Sequence, residues 1–377
     1  MWYLLLLIQI PLSLSNTISI RYILLDGTFT SFFQIGDPVK NKFLGVDINS
    51  KINLITKEYY TINREFETKH FINSNSFEFN NEIIPVKKMW DILTFEGQDI
   101  KIRDFLFYYC EQKIEKEDSF GLSIHVLDKN MSIIHSLYNK KFINKIQFGF
   151  ISDPSSKDGK LYFGETPKNL LQSYSETIIN VKPGYDNWGF DLEKVIVGNS
   201  NEYVHSHYAY FSTTDKRILS PKNFMHFLQK NVLDNYIQQK LCTLHNNITY
   251  RCERWVVDTF PPISFVIGET VFTLKGQDLF NIVNRRCILI FEENLENGDI
   301  WQIGSFFISY YPTFFNFETG QIRVYKKNES SVVLHNVDRK REYLNKITIL
   351  TIIWILLGLT LSVIIFVYKT KYIISLL

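Results

Sequence analysis

The sequence predicts a mainly β, two-lobed body with a few short helices, followed by one C-terminal transmembrane helix. Short apolar or alternating runs broken by Gly, Pro, Asn and Asp recur along the chain, as β-strands do. The stretch between the two apolar ends, about 330 residues, exceeds what one hydrophobic core covers, so two lobes are expected. Ile347 to Tyr368 is almost wholly apolar, and about 20 such residues are what a helix needs to cross the hydrocarbon layer.

Taken in order, Met1 to Ser15 is a run of Leu, Ile and aromatic residues closed by Pro11, Ser13 and Ser15, which suits a cleaved signal peptide even without a positive start. Strands are expected at Thr28 to Ile35, Lys42 to Thr56, Ile146 to Ile151, Lys160 to Gly164, Ser264 to Ile267 and Gln321 to Tyr325. Lys222 to Lys240 follows Pro221 and spaces Phe224, Phe227, Leu228 and Val232 as one helix face. The resulting division is 16–181 for the first lobe, 182–326 for the second, 327–346 for a juxtamembrane linker, 347–368 for the membrane helix and 369–377 for a cytoplasmic tail. Basic residues flank the helix on both sides (Arg339, Lys340, Arg341 and Lys346 before it, Lys369 and Lys371 after), so charge does not orient it. The signal peptide does: the chain is expected to be single-pass type I in the secretory pathway or at the cell surface, its body lumenal or extracellular.

Net charge is +2, from 41 basic and 39 acidic residues that are interspersed, and no basic block of the kind that binds nucleic acid is present. Asn130, Asn247 and Asn328 open glycosylation sequons usable in that compartment. His205 and His207 would share a strand face, but no third ligand accompanies them, so neither a metal nor a cofactor is expected.

From Thr28 to Tyr325 the residues resemble, in order, those of the pepsin-like aspartic proteases. Phe29 to Pro38 resembles that family's opening strand and Ile-Gly-x-Pro turn, Ser76 to Gly97 its flap hairpin, and Ile146 to Pro167 its late first-lobe strands. Trp188 to Gly198 is similar to the strand opening the second lobe. Pro261 to Phe265, Trp301 to Phe307 and Tyr311 to Arg323 are similar to the closing strands.

The resemblance implies a reaction in which two carboxylates, one per lobe, share a proton and act as base and acid on a water, because two like charges so close cannot both ionise. Each sits in an Asp-Thr/Ser-Gly-Thr/Ser loop. In Ala209 to Asp215 that register puts Ser212 at the second Asp and Thr214 at the Gly. Asp215 is the nearby substitute, three residues on and followed by Lys216 and Arg217, which suggests a solvated charged turn. In Phe43 to Ser50 two registers are open, one placing Asp47 at the first catalytic position with Asn49 for the Gly, the other placing Ile48 there. Asn49 tolerates a left-handed backbone, so the loop's shape is expected to survive. Phe79 falls where the flap's Tyr would stand and carries no hydroxyl.

The same resemblance implies a second-lobe disulfide between Cys252 and Cys287, with Cys110 and Cys242 left to pair or stay as thiols. The expectation is a membrane-anchored relative that no longer hydrolyses peptides and whose interlobe cleft holds an extended peptide or protein ligand. The alternative is an active endopeptidase using Asp47 and a displaced second acid.

Overall fold

Alternation along Thr28–Ile35 sends Phe29, Phe33 and Ile35 inward while Phe32 and Gln34 stay half-exposed, which is how one strand covers a core on one face. The computed structural model describes residues 17–328 except 26, 37–39, 57–70, 80–81, 96–99, 112–117, 126–128, 153–157, 200, 205–206, 247, 284–285 and 297. Strands dominate it. The expected run Lys42 to Thr56 is two strands, Lys40–Asp47 and Leu54–Thr56, with a loop between them. The predicted helix covers 222–238 and passes through one wider π turn at Gln229–Leu233.

Ten strands form two copies of one pairing pattern. In the first copy, β1 (Thr28–Ile35) is antiparallel to β2 (Lys40–Asp47), and β2 is parallel to β5 (Ser119–Gly121). β5 is antiparallel to β3 (Leu54–Thr56), which is parallel to β4 (Lys101–Cys110). In the second, β6 (Gly189–Leu192) is antiparallel to β7 (His207–Phe211), and β7 is parallel to β10 (Trp301–Ile303). β10 is antiparallel to β8 (Ile218–Ser220), which is parallel to β9 (Phe291–Glu293). The repeat pairs β2 with β7 and β5 with β10.

Further strands bind the copies together. Thr17–Leu25, Asp158–Gly164, Gln147–Ser152, Thr313–Asn316 and Gln321–Lys327 lie side by side in one sheet, so both ends of the described chain meet there. Both copies fall in one compact unit, and their apolar cores are continuous. Trp188 is the joint: fully buried against Phe148, Phe315 and Phe317, it donates its indole N–H to Leu122 O across the copies at 2.9 Å.

No helix among the described residues is long and apolar enough to cross a membrane; the expected membrane helix 347–368 and the expected signal peptide 1–15 both lie outside them.

His135, on the helix Ile133–Asn139, is buried with its ring edge-on to Phe317. Burial first, and the charge of Lys129 second, hold its pKa below the usual histidine value. The unfolded chain regains that value and takes up a proton the folded chain refuses, so stability should fall as pH drops from about 7 to about 5. His135→Phe should flatten this acid limb in urea midpoints measured across the range. Identical slopes in the two proteins would rule His135 out as its cause.

Candidate active site

The loop that follows β2 and the loop that follows β7 face each other where the two copies meet. Gly121 and Gly304 fix the correspondence between them. A Cβ on Gly121 would lie 2.6 Å from Ser50 O and 2.4 Å from Ile52 O. One on Gly304 would lie 2.5 Å from Asp215 O and 2.1 Å from Arg217 O. Ser50 therefore matches Asp215, and three residues earlier Asp47 matches Ser212. By this symmetry Asp47, not Ile48, stands opposite Ser212, while Ile48 matches Thr213 and Asn49 matches Thr214.

Hydrogen bonds cross between the loops in both directions. Thr213 Oγ1 donates to Val46 O at 2.5 Å and accepts from Ile48 N–H at 3.2 Å, straddling Asp47. Ile48 has no hydroxyl to reciprocate. The amide of its neighbour does so instead, Asn49 Nδ2 donating 2.9 Å to Phe211 O, the carbonyl just before Ser212. Asn49 does this without a left-handed backbone, contrary to expectation. Asp47 Oδ1 makes that possible by accepting the N–H groups of Asn49 at 2.9 Å and Ser50 at 3.1 Å, which closes the turn locally.

Ser212 is a weaker version of the same device, its Oγ 3.4 Å from Thr214 N and from Thr214 Oγ1. It is buried. A serine hydroxyl is not an acid near neutral pH, so Ser212 cannot supply the second carboxylate of a pair that shares a proton.

Asp215 is not in a solvated turn. Arg217 grips both of its carboxylate oxygens, through Nε and Nη2, and reaches Glu292 at 2.5 Å with Nη1; the Glu292 side chain is 7% exposed. The two carboxylates in turn push the Arg217 guanidinium pKa up, the Asp215 hydrogen bond most. Asp215 thus faces Arg217, which Glu292 holds from its other side. Beside the loops, Tyr210 donates to Gln302 at 2.6 Å, and its phenol pKa is pushed up to about 12 by burial first and then by the charges of Glu296, Asp215 and Asp47.

A sequence model of the eukaryotic aspartyl protease family matches residues 109–327, more than half of the chain. The chain belongs to the eukaryotic aspartyl protease family. Its fold is that of the family's solved members: the crystal structure of an aspartic proteinase from Irpex lacteus superposes with a TM-score of 0.68, covering 82% of this chain and 97% of that one at 14% identity.

Other family landmarks are partly in view. Phe71–Phe79 pairs antiparallel with Glu82–Phe95, and Phe79 is in register with Glu82, so the flap's hairpin backbone is present. Asn130 and Asn328 are exposed, and Asn247 lies outside the described residues. His207 stacks on Tyr203 with ring centroids 5.9 Å apart, whereas His205 lies outside the described residues. No cluster of three or more possible metal ligands occurs among the described residues.

The disulfide differs from expectation. Cys242 is joined to Cys252, and Cys287 and Cys110 are buried thiols. The hairpin formed by Cys242–His245 and Thr249–Cys252 sets Cys242 directly opposite Cys252, a local pairing that the family resemblance did not anticipate.

Thr213, the Asn49 bridge and the Arg217–Glu292 pair also escaped the sequence reading. Thr213 alone left a signal there, as a hydroxyl residue kept directly after a position where the acid had changed.

Proposed function

We propose that this aspartyl protease homologue no longer hydrolyses peptides and uses its interlobe cleft to bind an extended peptide or protein segment, held at a membrane by 347–368. In this reading residues 16–181 and 182–326 are the two lobes, and the cleft lies on the lumenal or extracellular side, where Asn130, Asn247 and Asn328 would carry glycans. The observation that carries the proposal is the contrast at the paired loops. Their crossing hydrogen bonds keep them together, while the place opposite Asp47 is a buried serine and Asp215 is occupied by Arg217. Selection for a binding groove explains the first feature, and loss of selection for hydrolysis explains the second.

The full chain in detergent should show no pepstatin-sensitive cleavage of a diverse peptide library between about pH 3 and 7, where a carboxylate pair would hold one proton. Ser212→Asp alone should stay silent, since Thr214 and Ile48 still depart from the loop sequence that supports the acid. Extended peptides from the same library should nevertheless bind, and a photo-crosslinking peptide should label residues near the two loops. Cleavage with an acidic optimum, abolished by Asp47→Asn with Asp215→Asn, would replace this reading with an active protease. An absence of any peptide binding would remove the groove. Release of the intact protein by carbonate would remove the membrane anchor.

A further inference from the structure

Three cysteines lie abreast on three neighbouring strands. Cys252 is the register partner of Cys242 on one side and of Cys287 on the other. Residues directly opposite in antiparallel strands project to the same face, so the three side chains form one row with Cys252 in the middle. All are buried, at 1%, 6% and 0% exposure for Cys242, Cys252 and Cys287, which shields the row from external thiols.

Ladder alternation tells the two pairs apart. Glu253 N–H donates to Leu241 O, so the adjacent pair Cys242–Cys252 is of the close, non-hydrogen-bonded kind, with Cα atoms 4.1 Å apart. Cys252 therefore turns its own N–H and C=O toward Cys287, and Cα atoms in such a pair lie about 5.5 Å apart. That is within the span a disulfide bridges, about 4.4–6.8 Å. Cys252 is thus within bonding reach of both neighbours.

We propose that Cys242, Cys252 and Cys287 form an internal thiol–disulfide exchange device in which Cys252 is joined alternately to the strand on either side. Cys287, as thiolate, attacks Cys252 Sγ in line with the existing bond. The Cys252–Cys287 bond forms as the Cys242–Cys252 bond breaks, and Cys242 leaves as a thiolate that takes up the proton Cys287 gave up. No electrons are gained or lost overall, so no external oxidant or reductant is consumed.

The two states differ in what they hold. The first staples the edge strand Cys242–His245 to its neighbour. The second staples Thr249–Cys252 to Arg286–Leu289 in the middle of the sheet and leaves the edge strand held by its hairpin turn, hydrogen bonds and packing, with no cross-link. The first bond closes a loop of sequence separation 10 and the second one of about 35, so the two states restrain the unfolded chain differently while the fold itself holds all three sulfurs close.

The full chain, equilibrated at neutral pH without added thiol, quenched with acid and alkylated, should yield both cross-linked peptides on non-reducing mass mapping, within about tenfold of each other. Cys242→Ser should form the Cys252–Cys287 bond, and Cys287→Ser the Cys242–Cys252 bond. Absence of either cross-link from the equilibrated wild type would overturn the proposal. So would free thiols at both Cys252 and Cys287 in oxidised Cys242→Ser.

Discussion

Replacing Gly304 with alanine is expected to destabilise the protein by at least about 3 kcal/mol, at the upper end of what overpacking a core inflicts. The added Cβ would sit 2.1 Å from Arg217 O, 2.5 Å from Asp215 O and 2.8 Å from the Lys216 carbonyl carbon. All three are backbone atoms, so no flexible side chain can swing away to make room. The loop after β7 would have to move as a unit, giving up the 2.7 Å bond from Ser305 N to Asp215 O. At roughly 2–4 °C per kcal/mol, the melting temperature should fall by roughly 6–12 °C. Gly298→Ala is the control, because nothing lies within 4 Å of a Cβ there. If Gly304→Ala melted within 2 °C of the wild type, the glycine would not be what sets the spacing between β10 and the Asp215 turn.

Thr213→Val should be the next most damaging change, at about 2–4 kcal/mol. Valine keeps the shape of threonine and deletes the one hydroxyl that satisfies both Val46 O and Ile48 N–H. Those groups are buried, and each polar group left unpaired in such a site costs about 1–3 kcal/mol. Urea unfolding should shift its midpoint at unchanged slope. Asn49→Ala, which removes a single crossing bond, should have the smaller effect. A midpoint for Thr213→Val equal to that of the wild type would mean that the two loops are held by packing alone.

Strands were legible because burial alternates along them, as in Thr28–Ile35, which the sequence bounded as the structure does. The second loop was legible as well, since Ala209, Tyr210 and Phe211 run into it as an unbroken strand. The first was ambiguous, because Asp47 and Ile48 are both buried and neither polarity nor period distinguishes them. What resolves them spatially is the matching seat of Gly121 under one loop and Gly304 under the other, and no local pattern reports a correspondence between segments so far apart in the chain. Asp215 was misread for a related reason. Next to Lys216 and Arg217 it looks like surface, yet Arg217 folds back onto it and is itself held by Glu292 from a distant strand. The disulfide did leave a short-range clue. Asn246, with φ of +53°, turns the hairpin that brings Cys242 onto Cys252, and asparagine is among the residues that favour such a turn.

The sheet that gathers both ends of the described chain sets a timetable for biosynthesis. Gln147–Ser152 pairs with Asp158–Gly164 on one side and with Thr313–Asn316 on the other, and the second of these leaves the ribosome more than 150 residues later. Until then one edge of Gln147–Ser152 presents unpaired N–H and C=O groups, and the aromatic side chains Phe148 and Phe150 lack the cover that Phe315 supplies. That edge consequently stays open, and prone to wrong pairing, throughout synthesis of the second half, and the sheet can close only once Thr313–Asn316 has emerged.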